Sequence, residues 1–588
     1  LSSPAVHADD AAISFRYAER IADGRGFTYN DHERVLGASN PLYTLALAAL
    51  VSLSATADHA ARALAVVTYV ASAGLAFAIA ARMGGPAGGA LAAVLFCSNL
   101  FLRIQMSSGL EAGFAIAFGL GAIAAAAADR WWIAGAICGL ALFNKLDAAA
   151  LPVAIVAAEW IVRRRIRWPV IAGAAMVGVP WLLFAWLYFG SPWPNSLVVK
   201  LAGGEAMPFD PLWVWRFTVS PGQAPTLLLA VLAAAAFTSL PAGARVAMLS
   251  LAGWCVLHAI AYSSTDLGAP YPWYLTVVPA TLSVIGGSVA NVLLLAPSTR
   301  TRRLTRLTAW LVAGLAVSSG LLATRMTLAT RHVVPVWELF DADRRLAGEF
   351  LRQYADPGEV VRTPHGWPAY ASKLPVNDGS GLNTRTPIEN TKYWVEQGSP
   401  HDTGSHAPGR PEGTVPLATF NLASGEFPGY SWFVIFGTPD SAIARSGRRA
   451  LRLRLPELTR VNRAAGDPLT GFDLSIGPGA SASFDIGSAL PARVLFTPRC
   501  AQPGTASTTL SISVDDHRVF HETIACGDTR RHALPLPAAT TAPRLLTFRA
   551  DDADAIYGDV EVLLGDLALP IEKLEDARVV DLWKQRGR

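Results

Sequence analysis

The sequence predicts a polytopic α-helical membrane protein carrying a C-terminal soluble region of α/β structure followed by a β-sandwich. Three observations predict it. Of the 588 residues, 52% are hydrophobic and only 16% charged, against about 25% charged in ordinary soluble domains. Charge is also segregated: Ala60 to Val162 contains just nine Asp, Glu, Lys or Arg residues, too few to build a soluble surface. Hydropathy collapses after Ala323, although the whole chain still averages a mean hydropathy of +0.33. A purely soluble enzyme is excluded, and a net charge of +4 gives no support to nucleic-acid binding.

A spanning helix needs about 20 mostly apolar residues, and ten segments qualify, near 60–81, 87–105, 109–128, 131–145, 147–162, 169–189, 224–240, 245–262, 272–296 and 307–324. Leu42 to Ser54 is apolar but too short to cross comfortably, so it is expected to be interfacial or re-entrant. The chain starts at Leu1 rather than Met, and a preceding segment with one further membrane helix is expected.

Two basic clusters, Arg163, Arg164, Arg165 and Arg167, and Arg300, Arg302, Arg303 and Arg306, belong on the cytoplasmic side. Four expected spans separate them, so the even count places both on one side. The segment from Asp9 to Asp58, the turns Ser107–Glu111 and Asn144–Asp147, the loops Phe189–Gly222 and Ser263–Tyr271, and everything beyond Ala323 then share the opposite, extracytoplasmic face.

The domain division expected is 1–324 for the bundle (first extracytoplasmic loop about 9–58), 325–464 for an α/β region, and 465–588 for the sandwich. In the α/β region an amphipathic helix is predicted over Trp337 to Tyr354. The sandwich is predicted from short alternating runs at Ser481–Ile486, Arg493–Phe496, Thr508–Val514, Val519–Ile524, Leu545–Arg549 and Val560–Leu564. It is expected either to bind carbohydrate or only to cap the bundle. Cys500 and Cys526 lie in this tail and form a disulfide candidate if it is outside the cytosol.

The chemistry-bearing residues gather in the loops. Asp9 and Asp10 are adjacent carboxylates where the chain leaves the membrane, and their mutual repulsion favours one of them as a general base near neutral pH. The plainer reading is that they cap a helix. Arg16, Lys145 and Lys200 are cations able to hold a phosphate leaving group. Glu111 and Asp147 are acids at membrane depth, where ionisable groups are functional candidates. Glu111 could equally be a helix-dipole partner, and Lys145 and Asp147 could simply pair with each other. Trp273 and Tyr274 suit either sugar stacking or an interfacial aromatic belt. His258 reads as a satisfied core histidine. No zinc-site spacing, phosphate-binding glycine loop or dinucleotide fingerprint is present; a divalent cation held by Asp9 and Asp10 stays open.

The order of these elements carries a resemblance. Asp9-Asp10-Ala11-Ala12-Ile13-Ser14-Phe15-Arg16-Tyr17 continues through Gly24-Arg25-Gly26-Phe27-Thr28-Tyr29-Asn30 and Glu33-Arg34-Val35 to Asn40-Pro41-Leu42. Later come Ser108-Gly109-Leu110-Glu111, Asn144-Lys145-Leu146-Asp147, and Tyr188-Phe189-Gly190-Ser191-Pro192-Trp193-Pro194-Asn195-Ser196 with Lys200. Pro272-Trp273-Tyr274 and Asn377-Asp378-Gly379-Ser380-Gly381-Leu382-Asn383 complete the set. This pattern resembles the GT-C superfamily of integral-membrane glycosyltransferases, most closely the bacterial branch containing the mycobacterial terminal β-(1→2)-arabinofuranosyltransferase. Ala112, the missing proline before Asp147, and Asn383 depart from the pattern.

The resemblance implies a GT-C-like bundle in the bacterial inner membrane that takes a sugar, arabinofuranose as the best guess, from a polyprenyl-phosphate donor to a cell-envelope glycan. It also implies a role for Asn195 at the site. The bilayer, the lipid donor and a glycan acceptor are the expected partners, with no nucleic acid; the oligomeric state is not encoded in these motifs. Transfer of another sugar to lipopolysaccharide or protein is the alternative within the enzymes. Outside them stand a lipid or sugar transporter, for which no convincing inverted repeat is found, and a non-catalytic glycan-binding protein.

Overall fold

The computed structural model describes residues 8–201 except 32 and 54, 212–264 except 235–236, 272–290, and 311–318 except 316. In the C-terminal part it describes 336–398 except 364–365, 411–421, 432–446, 450–454, 469–470, 473–476, 481–485, 492–500, 507–525 except 516, 532–536, 545–551 and 555–565. The chain forms two compact units, one of residues 1–330 with 380–386, the other of 331–379 with 387–588.

The first unit is helical. After Asp10 come α1 (Ala11–Ala22), α2 (Pro41–Val51), α3 (Ala57–Ser98), α4 (Leu100–Met106) and α5 (Ala112–Ala127). Then follow α6 (Trp131–Asn144), α7 (Ala150–Arg163), α8 (Trp168–Phe189), α9 (Asn195–Leu201), α10 (Trp213–Thr218), α11 (Ala224–Ala234), α12 (Ala242–Ser264) and α13 (Val277–Gly287). Local chemistry sets several of these ends. Pro41 occupies the first turn of α2, where its missing N–H costs nothing. The Thr56 hydroxyl accepts the His59 N–H at 3.2 Å to cap α3. Gly85, at φ 68°, with Pro86 after it, breaks α3 into the two segments expected near 60–81 and 87–105.

Among the described residues, three helices, Ala57–Ser98, Trp168–Phe189 and Ala242–Ser263, are long and apolar enough to cross a membrane. The other expected spans contain helices that are shorter than expected: α5, α6 and α7 have 16, 14 and 14 residues, or roughly 21–24 Å at 1.5 Å per residue. The segment expected at 147–162 opens with a 3-10 turn, Leu146–Ala149, and that at 272–296 with another, Pro272–Leu275. The span expected at 307–324 and the basic cluster from Arg300 to Arg306 lie largely or wholly outside the described residues. Leu187, Met176 and Trp168, exposed by 83%, 70% and 66%, give α8 an apolar outer face suited to lipid rather than water.

Small residues let helices of this bundle approach closely. A Cβ on Gly135 would lie 2.6 Å from the carbonyl oxygens of Pro169 and Val170, and one on Gly139 would lie 2.7 Å from that of Ala174. The Gly-x-x-x-Gly spacing on α6 therefore seats α8 backbone to backbone, the packing that dispersion favours where no water is displaced.

The second unit begins with α14 (Val336–Tyr354), which matches the predicted amphipathic helix; α15 (Trp367–Ser372) and α16 (Ala442–Arg445) are short. Its strands are β1 (Val360–Thr363), β2 (Val376–Asp378), β3 (Thr391–Gly398), β4 (Val415–Asn421), β5 (Trp432–Gly437), β6 (Ala450–Arg454), β7 (Leu469–Thr470), β8 (Asp473–Ile476), β9 (Ser481–Asp485), β10 (Ala492–Cys500), β11 (Ser507–Val514), β12 (His517–Ala525), β13 (His532–Leu536), β14 (Leu545–Ala550) and β15 (Ala555–Gly565).

An eleven-stranded mixed sheet runs β13-β10-β15-β6-β4-β5-β3-β1-β2, with β8 pairing β15 and β7 pairing β8; β12-β11-β14-β9 form a four-stranded sheet. The larger sheet thus draws strands from both sides of residue 464. Aromatic residues join the two sheets: Tyr557 on β15 packs its ring 5.0 Å from Phe548 on β14 and donates its hydroxyl to Ser511 O at 3.0 Å. All six predicted sandwich strands are present. Cys526 and the Cys500 side chain lie outside the described residues.

Placing a branched side chain between α6 and α8 tests the bundle packing. Gly135→Val should cost about 1–3 kcal/mol and lower the thermal midpoint of the detergent-solubilised protein. Gly178→Ala, where a Cβ meets nothing within 4 Å, should not lower the midpoint, since alanine favours the helix over glycine.

Candidate functional site

The first loop is built around Tyr17. Its hydroxyl donates to Val35 O at 2.6 Å and accepts the Gly37 N–H at 3.0 Å. Its ring packs 5.4 Å from those of Phe27 and Tyr29. Arg16 lies buried beside it, donating from Nε to Tyr29 O at 2.9 Å with its guanidinium 4.7 Å above the Tyr29 ring. Burial lowers the Arg16 pKa from the usual arginine value. Arg20 bonds Asp31 and holds that carboxyl below its ordinary range. Much of the first-loop motif therefore folds the loop, and Arg16 stands in its wall.

Asp9 and Asp10 are half-buried at the head of α1. Asp10 occupies the cap position, but its side chain makes no capping bond to the helix, so at Asp10 the capping reading has no such hydrogen bond behind it. The Ala8 N–H donates to Ser108 O at 2.8 Å, which ties the start of this acidic arm to the Ser107–Glu111 turn.

Asn195 bonds a segment of the same unit. Its Nδ2 donates to Gly381 O and Leu382 O at 2.8 and 2.9 Å, and its Oδ1 accepts from Arg385 Nε at 3.2 Å. The Glu33 carboxylate accepts the Arg385 and Thr386 N–H groups, each at 3.1 Å. Gly37 makes room for this strap, because a Cβ there would lie 2.0 Å from Asn383 Oδ1. Asn195 thus bonds protein and is not among the cavity residues described next. The Lys200 side chain lies outside the described residues, although its backbone belongs to α9.

Five of the predicted residues do come together. Glu111, Lys145, Asp147, Trp273 and Tyr274 line one cavity with His258, and Leu110, Leu151, Trp254 and Val277 supply apolar wall. The cavity volume is about 30 Å³, room for little more than a water molecule. Lys145 is brought in by a break between α6 and the 3-10 turn Leu146–Ala149, where its backbone is extended at φ −159° and ψ 136°.

Lys145 Nζ donates to Glu111 Oε1 at 2.5 Å and sits 4.9 Å over the Tyr274 ring. Glu111 stands at the N-terminus of α5, where the helix dipole favours a negative charge. Asp147 is bonded not by Lys145 but by the Tyr262 hydroxyl at 2.5 Å, so the expectation of a simple Lys145–Asp147 pair is corrected. The break directs Lys145 toward the head of α5 and Asp147 toward α12. Tyr262 stacks on Tyr274 with centroids 4.6 Å apart. His258 Nε2 is 2.7 Å from Tyr274 O; it is satisfied, as a core histidine should be, and it also lines the cavity.

Three contributors were not singled out from sequence: Asn40, Tyr262 and the cavity-facing role of His258. Trp254, His258 and Tyr262 recur every four residues along α12, and that one-face spacing was the available signal. Among the described residues, no three His, Cys, Asp or Glu side chains converge as a metal site. Asp9 and Asp10 therefore have no third such ligand there.

The sequence matches no family profile and no curated protein. In fold, the chain is similar to ArnT from Cupriavidus metallidurans. The apo form aligns with a TM-score of 0.51 at 14% identity, covering 75% of this chain and 94% of that one. The form bound to undecaprenyl phosphate gives 0.50 at 13% identity, covering 74% and 94%. The arabinofuranosyltransferase AftD from Mycobacteria aligns at 0.39 and 13% identity, covering 95% of this chain and 60% of that one. The ArnT likeness shows the fold: a bundle of apolar helices followed in the chain by a C-terminal sheet region.

The ion pair can be weighed by a double-mutant cycle. Lys145→Met should destabilise the protein by about 3–5 kcal/mol, because it leaves buried carboxylates uncompensated. Glu111→Gln in the same chain should recover part of that loss, read from the thermal midpoint of the purified protein.

Proposed function

We propose that the protein is a glycosyltransferase that moves a sugar from a polyprenyl-phosphate donor to a cell-envelope glycan. The observation that carries this reading is the convergence of Lys145, Glu111, Asp147 and two aromatic rings on one cavity among helices of a membrane bundle. Such a bundle can keep a long lipid tail in hydrocarbon while its head group meets polar side chains. The undecaprenyl phosphate bound in one of the similar ArnT structures supports a lipid-linked donor. Arabinofuranose as the sugar rests on the first-loop resemblance. The site faces the extracytoplasmic side of a bacterial inner membrane in this reading, because the cluster of Arg163, Arg164, Arg165 and Arg167 belongs on the cytoplasmic side.

The chemistry follows from the parts. An acceptor hydroxyl attacks the anomeric carbon, and its proton passes to the carboxylate of Asp9 or Asp10. The bond from the anomeric carbon to the phosphate oxygen breaks, and the phosphate leaves with the electron pair. Lys145 offsets the charge that grows on that oxygen. Trp273 and Tyr274 offer faces to the sugar ring, while Arg16 and Asn195 hold the first loop and its strap in shape. Lys200 is a second candidate cation for the phosphate, and the Cys500–Cys526 pair a candidate staple of the sheet region.

Purified protein incubated with defined polyprenyl-phosphate sugars, arabinofuranose and hexoses among them, and glycan acceptors should give transfer. Asp9→Asn or Asp10→Asn should cut turnover by about 10²–10⁴-fold with the fold retained. Wild-type turnover in the double variant would remove the proposed base, and absence of transfer with every lipid donor would remove the activity.

A further inference from the structure

The cavity and the first loop are joined by a hydrogen-bond relay that no substrate-contact role requires. Asn40 Oδ1 accepts from Ser14 Oγ at 2.9 Å and from Thr44 Oγ1 at 3.0 Å, while its Nδ2 donates to Glu111 Oε2 at 2.8 Å. The orientation of the amide is forced: a carboxylate only accepts, so Nδ2 must face Glu111. The other oxygen of Glu111 holds Lys145. Ser14, Asn40 and Glu111 are 2%, 4% and 5% exposed, so water competes little for these bonds. Ser14 lies on the first turn of α1, directly after Asp9 and Asp10.

Lys145, the one lysine among the cavity's described lining residues, is engaged by Glu111. A phosphate that draws Lys145 toward itself competes with that carboxylate for the ammonium.

We propose that Glu111 is a positioning residue that latches Lys145 until the donor phosphate displaces it, and that Asn40 and Ser14 carry the displacement to α1 and its acidic arm. This rests on the reading of the cavity as the donor-phosphate site. Glu111 and phosphate compete for one ammonium, so the pair lowers donor affinity while the relay aligns the base once donor is bound.

The test measures binding of undecaprenyl phosphate to the full chain in detergent, together with steady-state transfer. Glu111→Gln should bind the lipid on the order of tenfold more tightly yet turn over more slowly. Asn40→Ala and Ser14→Ala should leave affinity within about twofold of wild type and lower kcat. Ser14→Ala removes a single hydroxyl and keeps the test usable if Asn40→Ala fails to fold. Lys145→Met should lose lipid binding. If Lys145→Met binds as wild type does, the donor-site reading fails. If it loses binding but Glu111→Gln binds no tighter, or if both relay variants keep wild-type kcat, the latch is overturned while the site stands.

Discussion

The ion pair between Lys145 and Glu111 is the interaction on which the rest of the site depends. Charges inside a membrane bundle are costly unless they are paired and hydrogen-bonded, and here each member has further support. The N-terminus of α5 and the Asn40 amide favour the Glu111 carboxylate. The Tyr274 ring face and the nearby Asp147 favour the ammonium. Removing one member exposes the other to an apolar wall of Leu151, Trp254 and Val277. The same arrangement sets a cation beside aromatic rings, the group that the proposed transfer would use to offset charge on a phosphate leaving group.

The first loop shows how a recognisable motif can consist largely of folding residues. Tyr17, Phe27, Tyr29, Arg16 and Gly37 bond or pack against one another, and Arg20 bonds Thr28 and Asp31. Glu33 and Asn195 fasten the 380–386 strap over them. That rigidity places Ser14 and Asn40 within reach of Glu111. A base on a loop otherwise free to move would lose much of the advantage of orientation.

The architecture was legible because it rests on periodicity and composition. The amphipathic helix over Val336–Tyr354 and the six alternating strands appear where the pattern put them. The bundle was less so, since a uniformly apolar run shows neither where a helix breaks nor how long it must be: the 3-10 turns at Leu146–Ala149 and Pro272–Leu275 give no hydropathy signal. The strands from β1 to β5 have no regular alternation, so their membership of the larger sheet depends on long-range pairing. At the site, charged residues in an apolar context were conspicuous, and Glu111, Lys145 and Asp147 were found by that contrast. Their partners were not. Tyr262 sits in a span where one hydroxyl barely alters hydropathy, and Asn40, quoted only as part of the first-loop motif, carries no charge to set it apart.

A structure of the protein with undecaprenyl phosphate bound tests the central claim most directly. The account predicts a phosphate oxygen within hydrogen-bond distance of Lys145 Nζ, with Glu111 parted from that lysine and still bonded to Asn40. A phosphate seated elsewhere, with the Lys145–Glu111 pair intact, would contradict it.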